Sequence, residues 1–346
     1  MDYLEYFGLT HEPFSNSPES RFYFNSDQHS EASIRLRRAV DSRKGLAMLI
    51  GAVGTGKTTL ARKMLETLPE EEYESALMVI IHSGVTADWL LQKIALQIGV
   101  EAPEQDKIGL VTQLYKRLIE IKEMGRHAVV MVDEAQMLAT RTVMEEFRGL
   151  LNLEHDEQRL VSFIFYGLPE IEEMLRLDPA LAQRVDLRCR LKTLNQRSTE
   201  LYVEHRLKLA GAKRPLLTPG ALRSVHAYSG GTPRVINTLA DNALFEAFLQ
   251  KLEGVDEHMI DAVAFDLGLS ASRPQAGAGR SPGALGEHRR DGAASLSRTA
   301  AAAGPAENAV EGEVSIEPLE EEKEPPANGE SLEEIDQMLN ELETDR

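Results

Sequence analysis

Residues 51–58 read GAVGTGKT, which satisfies the spacing G-x-x-x-x-G-K-[ST]. An apolar, strand-like stretch precedes this run and an amphipathic helical stretch follows it, so the match has the context that gives it meaning. Glycines at 51, 54 and 56 let the chain curl, so that backbone N–H groups from Gly51, Ala52, Val53, Gly54, Thr55 and Gly56 surround a phosphate chain. The start of the following helix, with Thr59 in its first turn, adds positive potential. Lys57 is expected to reach the outer phosphates and Thr58 to hold Mg2+. Hydrolysis needs a second element, and the run VVMVDEA supplies it. Asp133, at the end of an apolar strand, suits the magnesium shell, directly or through water. Glu134 suits polarisation of the attacking water. No guanine-reading N-K-x-D pattern occurs in the chain, so ATP is expected rather than GTP.

Such side chains act together only if strands and helices deliver them to one place. Between Gly45 and Gly167 four apolar runs, GLAMLIG, ALMVIIHS, HAVVMVDEA and LVSFIFYG, alternate with helical patterns. That rhythm predicts an α/β fold, a P-loop parallel sheet sandwiched by helices. Leu60, Met64, Leu65 and Leu68 recur at helical spacing, as do Leu110, Leu114, Leu118 and Ile121, and both sets read as core stripes. From about Asn195 strand signals stop and four short helical patterns follow, predicting a small C-terminal helical lid. Thr218 and Thr232, each followed by Pro, suit N-cap and first-turn positions.

Beyond residue 270 the composition turns to Ala, Gly, Pro, Ser and then Glu, which cannot bury enough apolar surface to offset chain entropy. The expected division is therefore 1–194 for the nucleotide-binding core with its N-terminal segment and 195–269 for the lid. A disordered linker follows over 270–330, and a short amphipathic docking helix over 331–346. In that last stretch Ser331 and Glu334 form a capping-box pattern, while Leu332, Ile335, Leu339 and Leu342 share a face. So short a helix is marginal alone and is expected to order on a protein partner.

The net charge of −18 over 346 residues is mostly the property of this tail. From Glu307 to Arg346 acids exceed bases by about a dozen, and the chain before it is only mildly acidic. The longest apolar runs have the length of buried strands, not of the roughly 20 residues that cross a membrane, so no direct membrane insertion is expected. The opening MDYLEYFGL is acidic where a signal peptide is basic. Cys189 is the single cysteine, which excludes an internal disulfide framework and any multi-cysteine metal site. The scattered histidines lack metal-ligand spacing. A cytoplasmic protein is expected.

The phosphate loop, the strand-end DE pair and the helical lid together resemble the AAA+ ATPases. YFGLTHEPFSNSPESRFYF, DEAQML, FYGLPEI, LAQRVDL, YVEHRLKLAG and SGGTPRVINTLADNAL, in that order, narrow the likeness to the general secretion pathway protein A (ExeA-like) family of secretion-associated ATPases, over about residues 1–268. The resemblance implies that Arg184, in LAQRVDL, acts in trans on a neighbour's nucleotide, so that hydrolysis requires a homo-oligomer; Arg188 and Arg190 compete for that assignment. It implies that Arg234, in GGTPR, is the lid arginine that meets the nucleotide. Phe14, Phe22, Tyr23 and Phe24 read first as packing residues and second as a border for adenine, as this segment forms in related ATPases. One departure stands out. Relatives usually carry a polar residue where this chain has Leu168, so the expectation is that Tyr166 or another polar group substitutes, or that hydrolysis is slow.

Family members that assemble a secretin carry a membrane segment and a peptidoglycan-binding part after the ATPase. Neither is legible here, so peptidoglycan binding is not carried over. The resemblance instead implies a cytoplasmic ATPase that serves a secretion, pilus or exopolysaccharide export system, reaching the inner membrane through a partner. Two alternatives have different sequence signatures. A DNA-associated switch of the transposition-regulator or initiator type would use basic stretches such as RLRR at 35–38 and LRCRLK at 187–192. The acidic tail and the lack of a strongly basic face argue against nucleic acid. An ATP-binding adaptor with weak hydrolysis would be consistent with Leu168.

Overall fold

The computed structural model describes residues 2–17 and 19–271. The expected linker beyond residue 271 and the docking helix expected over 331–346 lie outside the described residues.

A five-stranded, wholly parallel sheet carries the first part of the chain. Its strands are β1 (Leu46–Gly51), β2 (Tyr73–Val79), β3 (His127–Asp133), β6 (Val161–Gly167) and β7 (Val185–Leu191), in the spatial order β2-β3-β6-β1-β7. A two-stranded hairpin, β4 (Glu154–His155) with β5 (Gln158–Arg159), lies between β3 and β6 in sequence. Every residue of β1, β3 and β6 is buried, so these strands read as continuous apolar runs and alternation is hidden. The pleat nevertheless divides them. Leu46, Met48 and Ile50 enter one core with Val130, Val132, Phe163 and Phe165, while Ala47 and Leu49 enter the other with Val129, Met131, Ile164 and Tyr166.

Helices cover both faces of the sheet. Preceding the sheet are α1 (Tyr3–Phe7) and α2 (Asp27–Asp41), and α3 (Lys57–Thr67) leaves the phosphate loop. The second core lies under α2 and α3, with Leu36, Leu60 and Met64 fully buried. The first lies under α4 (Ala87–Gln97), α5 (Lys107–Glu123), α6 (Arg141–Leu150), α7 (Ile171–Leu177) and the single turn α8 (Pro179–Ala182). Leu110, Leu114, Leu118 and Ile121 are the buried stripe of α5, as their spacing predicts. On α6, Phe147 stands edge-on to both Phe163 and Phe165, with ring centroids 5.2 and 4.8 Å away.

The sequence reading did not anticipate β7. It is an edge strand whose Asp186, Arg188 and Arg190 are exposed while Cys189 and Leu191 are buried, so charged residues interrupt its apolar run. In sequence its second half is the basic stretch LRCRLK.

Four helices form a third core: α9 (Gln196–Leu209), α10 (Pro219–Ser229), α11 (Pro233–Leu249) and α12 (Glu257–Asp266). Phe7, Leu9, Phe14 and Phe22 from the N-terminal segment are buried in this core. Thr218 caps α10 by accepting from Ala221 N–H at 3.1 Å. Thr232 occupies the equivalent position before α11 but its side chain makes no capping bond. The N–H of Arg234 donates instead to the carbonyl of Gly54 at 3.3 Å, so the phosphate loop satisfies an early amide of this lid helix.

The sheet also contains a titratable device remote from the site. His127, at the start of β3, is 4% exposed, and its Nε2–H donates to Ser162 Oγ at 2.8 Å because the serine hydroxyl proton is given to Lys44 O at 2.6 Å. Burial, with Arg43 nearby, pushes the imidazole down to about 4 from 6.5. Between those two values the unfolded chain binds a proton that the folded chain refuses, so stability is complete above about 6.5 and falls as the pH drops through the window. The difference corresponds to roughly 3 kcal/mol. We expect His127→Gln to flatten this acid limb in urea unfolding at pH 7 and 4.5; an undiminished pH difference would remove the assignment.

Candidate functional site

β1 ends at Gly51 and α3 begins at Lys57, so the intervening residues must reverse direction above the sheet's C-terminal edge. Gly54 and Gly56 do so with φ of 77° and 98°, in the left-handed region that favours glycine. A Cβ on Gly54 would stand 2.8 Å from Cβ of Arg234, and one on Gly56 would stand 3.0 Å from Nε2 of His29. The loop is thus enclosed by the lid on one side and by α2 on the other. His29 Nε2 lies 3.2 Å from the Thr55 carbonyl, while Ser26 Oγ lies 2.7 Å from His29 Nδ1. Burial lowers the affinity of His29 for a proton, consistent with a neutral ring that donates to the loop.

Lys57 is 5% exposed, and its Nζ donates to the carbonyls of Gly51 at 3.0 Å and Ala52 at 3.2 Å. Ala52 O also accepts from Thr55 Oγ1 at 2.8 Å. Desolvation is the largest influence on Lys57 and lowers its proton affinity, opposed by the charges of Glu134 and Asp133. Both of its acceptors are neutral, so an anionic phosphate oxygen would outcompete them.

One helical position after Lys57, Thr58 Oγ1 donates to Asp133 Oδ2 at 2.6 Å. Asp133 is 1% exposed, and its other oxygen accepts from Glu134 N–H at 3.0 Å. Burial raises its proton affinity, partly offset by the two hydrogen bonds and by Lys57. A desolvated carboxylate beside a hydroxyl oxygen fits a hard divalent cation such as Mg2+, which takes one or two such ligands and completes its shell with water and phosphate.

Glu134 turns the chain sharply, with φ of 53°, a conformation costing about 1–3 kcal/mol in a residue with a Cβ. It opens a 3-10 turn over Ala135–Leu138 and lines an open cleft together with Val53, Lys57, Thr58, Thr59, Leu168 and Arg234. Arg234 is exposed and has no ion pair among the described residues. A smaller adjoining space is walled by Tyr23, Phe24, His29, Leu194, Tyr202 and Arg206. Of the four N-terminal aromatics, Phe14 is confined to the lid core, whereas Phe22, Tyr23 and Phe24 border this space.

Tyr202, Arg206 and Asn237 were missed in the sequence. Arg206 is 5% exposed and donates to Tyr202 Oη at 2.7 Å and Ser15 O at 3.0 Å, while Tyr202 donates to Asn237 Oδ1 at 2.8 Å. The i, i+4 relation of Tyr202 and Arg206 on α9 is visible in sequence, but their meeting with Asn237 of α11 and with the N-terminal segment depends on tertiary packing.

The geometry can be set beside known proteins. Residues 38–175 match the family described as AAA domain. General secretion pathway protein A of Aeromonas hydrophila is 36% identical over 268 residues, covering 77% of this chain and 48% of that protein. Over this matched stretch the chain is similar to the ExeA-like AAA+ ATPases. It spans about half the length of that relative. An ORC1-type DNA replication protein from Cenarchaeum symbiosum is 29% identical over 137 residues, covering 36% of this chain and 32% of that one. Among solved structures, the ORC2 protein of Aeropyrum pernix in ADPNP–ADP complexes superposes with a TM-score of 0.57 at 17% identity, covering 74% of this chain and 73% of that one. CDC6P of Pyrobaculum aerophilum gives 0.59 at 15% identity, covering 73% and 70%. At these identities the likeness is one of fold.

In this chain the structure brings together the loop residues 51–59, Asp133, Glu134 and Arg234, and leaves Arg184 elsewhere. Arg184 precedes β7, whose first residue Val185 pairs with Leu46 at the end of β1 opposite to the loop. Its guanidinium donates to Arg148 O at 3.1 Å and to Asn152 Oδ1. Tyr166, considered as a substitute for a polar residue at 168, is wholly buried beneath α3, and its hydroxyl finds no partner among the described residues. No helix among the described residues is long and apolar enough to cross a membrane.

Proposed function

We propose that this chain binds ATP with Mg2+ between the phosphate loop and a lid formed by residues 195–269, and hydrolyses it to ADP and phosphate. The observation that carries the reading is the 2.6 Å bond that ties Thr58, which lines the cleft with Lys57, Glu134 and Arg234, to the buried carboxylate of Asp133. Backbone amides of residues 51–56, Lys57 and Thr59 bind and orient the triphosphate, and Arg234 joins it from the lid. Thr58 and Asp133 would hold Mg2+, which neutralises charge on the phosphate oxygens when bound. Glu134 orients a water in line with the γ-phosphorus. As the water oxygen forms its bond to phosphorus, the bond to the bridging oxygen breaks and leaves ADP. A water proton passes to the Glu134 carboxylate and on to solvent or phosphate.

The reading extends to a homo-oligomer in which Arg184 completes a neighbour's site. The likeness to general secretion pathway protein A supports a role in assembling or operating an envelope secretion, pilus or exopolysaccharide export system. The protein would act from the cytoplasm and meet the inner membrane through a protein partner.

The nucleotide part is tested by Lys57→Ala. Loss of a charge-assisted contact is expected to weaken binding of a fluorescent ATP analogue about 10- to 100-fold in the full chain, with hydrolysis reduced at least as much. Unchanged affinity would sink the proposed binding mode.

A further inference from the structure

Leu168 leaves a gap in the polar chemistry at the end of β6, and a residue from the DEAQ turn reaches that place. Gln136 Nε2 donates to Glu134 Oε2 at 2.6 Å, and Gln136 Oε1 accepts from the backbone N–H of Leu168 at 3.1 Å. A carboxylate oxygen only accepts and a backbone N–H only donates, so one orientation of the amide satisfies both contacts and the flipped one satisfies neither. The local backbone is built for this reach. The left-handed Glu134 starts the 3-10 turn, Met137 N–H closes it on Glu134 O at 2.9 Å, and the Gln136 side chain is thereby aimed at β6. Gly167 leaves the necessary space: a Cβ there would stand 2.9 Å from Gln136 Oε1 and 3.0 Å from Ile171 Cδ1.

We infer that Gln136 is the positioning residue of the hydrolytic step, holding the Glu134 carboxylate in its working orientation and tying it to the β6 terminus beside Leu168. The inference rests on the ATP-hydrolysis reading. Glu134 has two freely rotating side-chain bonds beyond Cβ, and in an open cavity its carboxylate would sample orientations that miss the attacking water. The Gln136 amide fixes one carboxylate oxygen and leaves the other for the water. It also makes the carboxylate respond to the end of β6, the place from which Leu168, having no polar side-chain atom, cannot signal.

The experiment compares the full-length wild-type chain with Gln136→Leu, Gln136→Glu and the double variant Gln136→Leu/Leu168→Gln, in Mg-ATP. A misplacement of about 1 Å costs on the order of 100-fold, so Gln136→Leu is expected to lower kcat about 10- to 100-fold. The Kd for a fluorescent ATP analogue and the KM should stay within about threefold, because Gln136 does not line the phosphate loop. In Gln136→Glu a second carboxylate faces Glu134 and the two compete for one proton, which moves the acid limb of the pH–rate profile to higher pH. Restoring a polar side chain at position 168 should recover part of the kcat lost in Gln136→Leu. A purely structural role would move none of the pH limb and would not be rescued from position 168.

A wild-type or raised kcat in Gln136→Leu, or parallel losses of Kd and kcat, would overturn the assignment. Should Gln136→Leu fail to fold, the Gln136→Glu profile decides, and an unshifted acid limb overturns it. Glu134→Gln measured alongside separates the two levels. If that variant is as active as wild type, the hydrolysis reading itself fails; if it is inactive while Gln136→Leu is normal, only the role of Gln136 fails.

Discussion

In Glu134→Gln the steady-state ATPase rate of the full chain falls about 100- to 10,000-fold, the usual contribution of a positioned acid–base group, while ATP remains bound. The amide has the shape of the carboxylate and keeps an oxygen that accepts from Gln136 Nε2, so the turn at Ala135–Leu138 and its contact with Leu168 N–H survive. The left-handed backbone at residue 134 is no worse for Gln than for Glu. Only the proton-accepting capacity is lost. Asp133, buried against Thr58, is untouched and still suits the cation, and Lys57 still meets the phosphates. The variant should therefore accumulate an ATP-bound form. Phosphate release measured over many turnovers, together with the nucleotide recovered on rapid filtration, reports both halves of the expectation. A rate within about threefold of wild type would remove Glu134 from the chemistry.

The sequence made the fold's centre legible because strands buried on both faces leave long apolar runs, and because the phosphate loop needs glycines at fixed spacing. β1, β3 and β6 fall where such runs occur, and the buried stripes of α3 and α5 fall at their helical period. The edge strand β7 was opaque because three of its side chains are charged and face outward. Which core a strand residue enters was equally hidden, since Leu49 and Met48 look alike in sequence but point to opposite faces. At the site, motif residues could be named from spacing, but their support could not. The contact of Gln136 with Leu168 spans 32 positions and uses a backbone amide, which no side-chain pattern announces. Arg206 reads as an ordinary helix-surface cation until α9 is seen to pack it beneath the N-terminal segment.

Arg184→Ala is expected to lower oligomer-dependent hydrolysis about 1,000-fold or more, the range for an arginine supplied in trans, with ATP affinity nearly unchanged. On the proposed reading the effect would cross between subunits, because the topology keeps Arg184 away from its own loop. All five strands run in parallel, the phosphate loop leaves the C-terminal end of β1, and Arg184 enters at the N-terminal end of β7, so roughly 17 Å of strand separates the two levels. An extended arginine cannot cover that span around the sheet edge to its own loop. Within the subunit its partners are a carbonyl and a side-chain amide, neutral acceptors that hold the guanidinium without cancelling its charge. Arg190, by contrast, is paired with Glu172, and Arg188 reaches only the Ala182 carbonyl at 3.4 Å, so both serve as neighbouring controls. The decisive experiment mixes Arg184→Ala subunits, whose phosphate loop is intact, with Lys57→Ala subunits, whose Arg184 is intact. Each is inactive alone for a different reason, and interfaces between unlike subunits combine one working loop with one working arginine. Recovered phosphate release in the mixture, dependent on total protein concentration, is the expected result. Full activity of Arg184→Ala alone, or a mixture no more active than its parts when size measurement shows that the two assemble together, would exclude a shared site built on this residue.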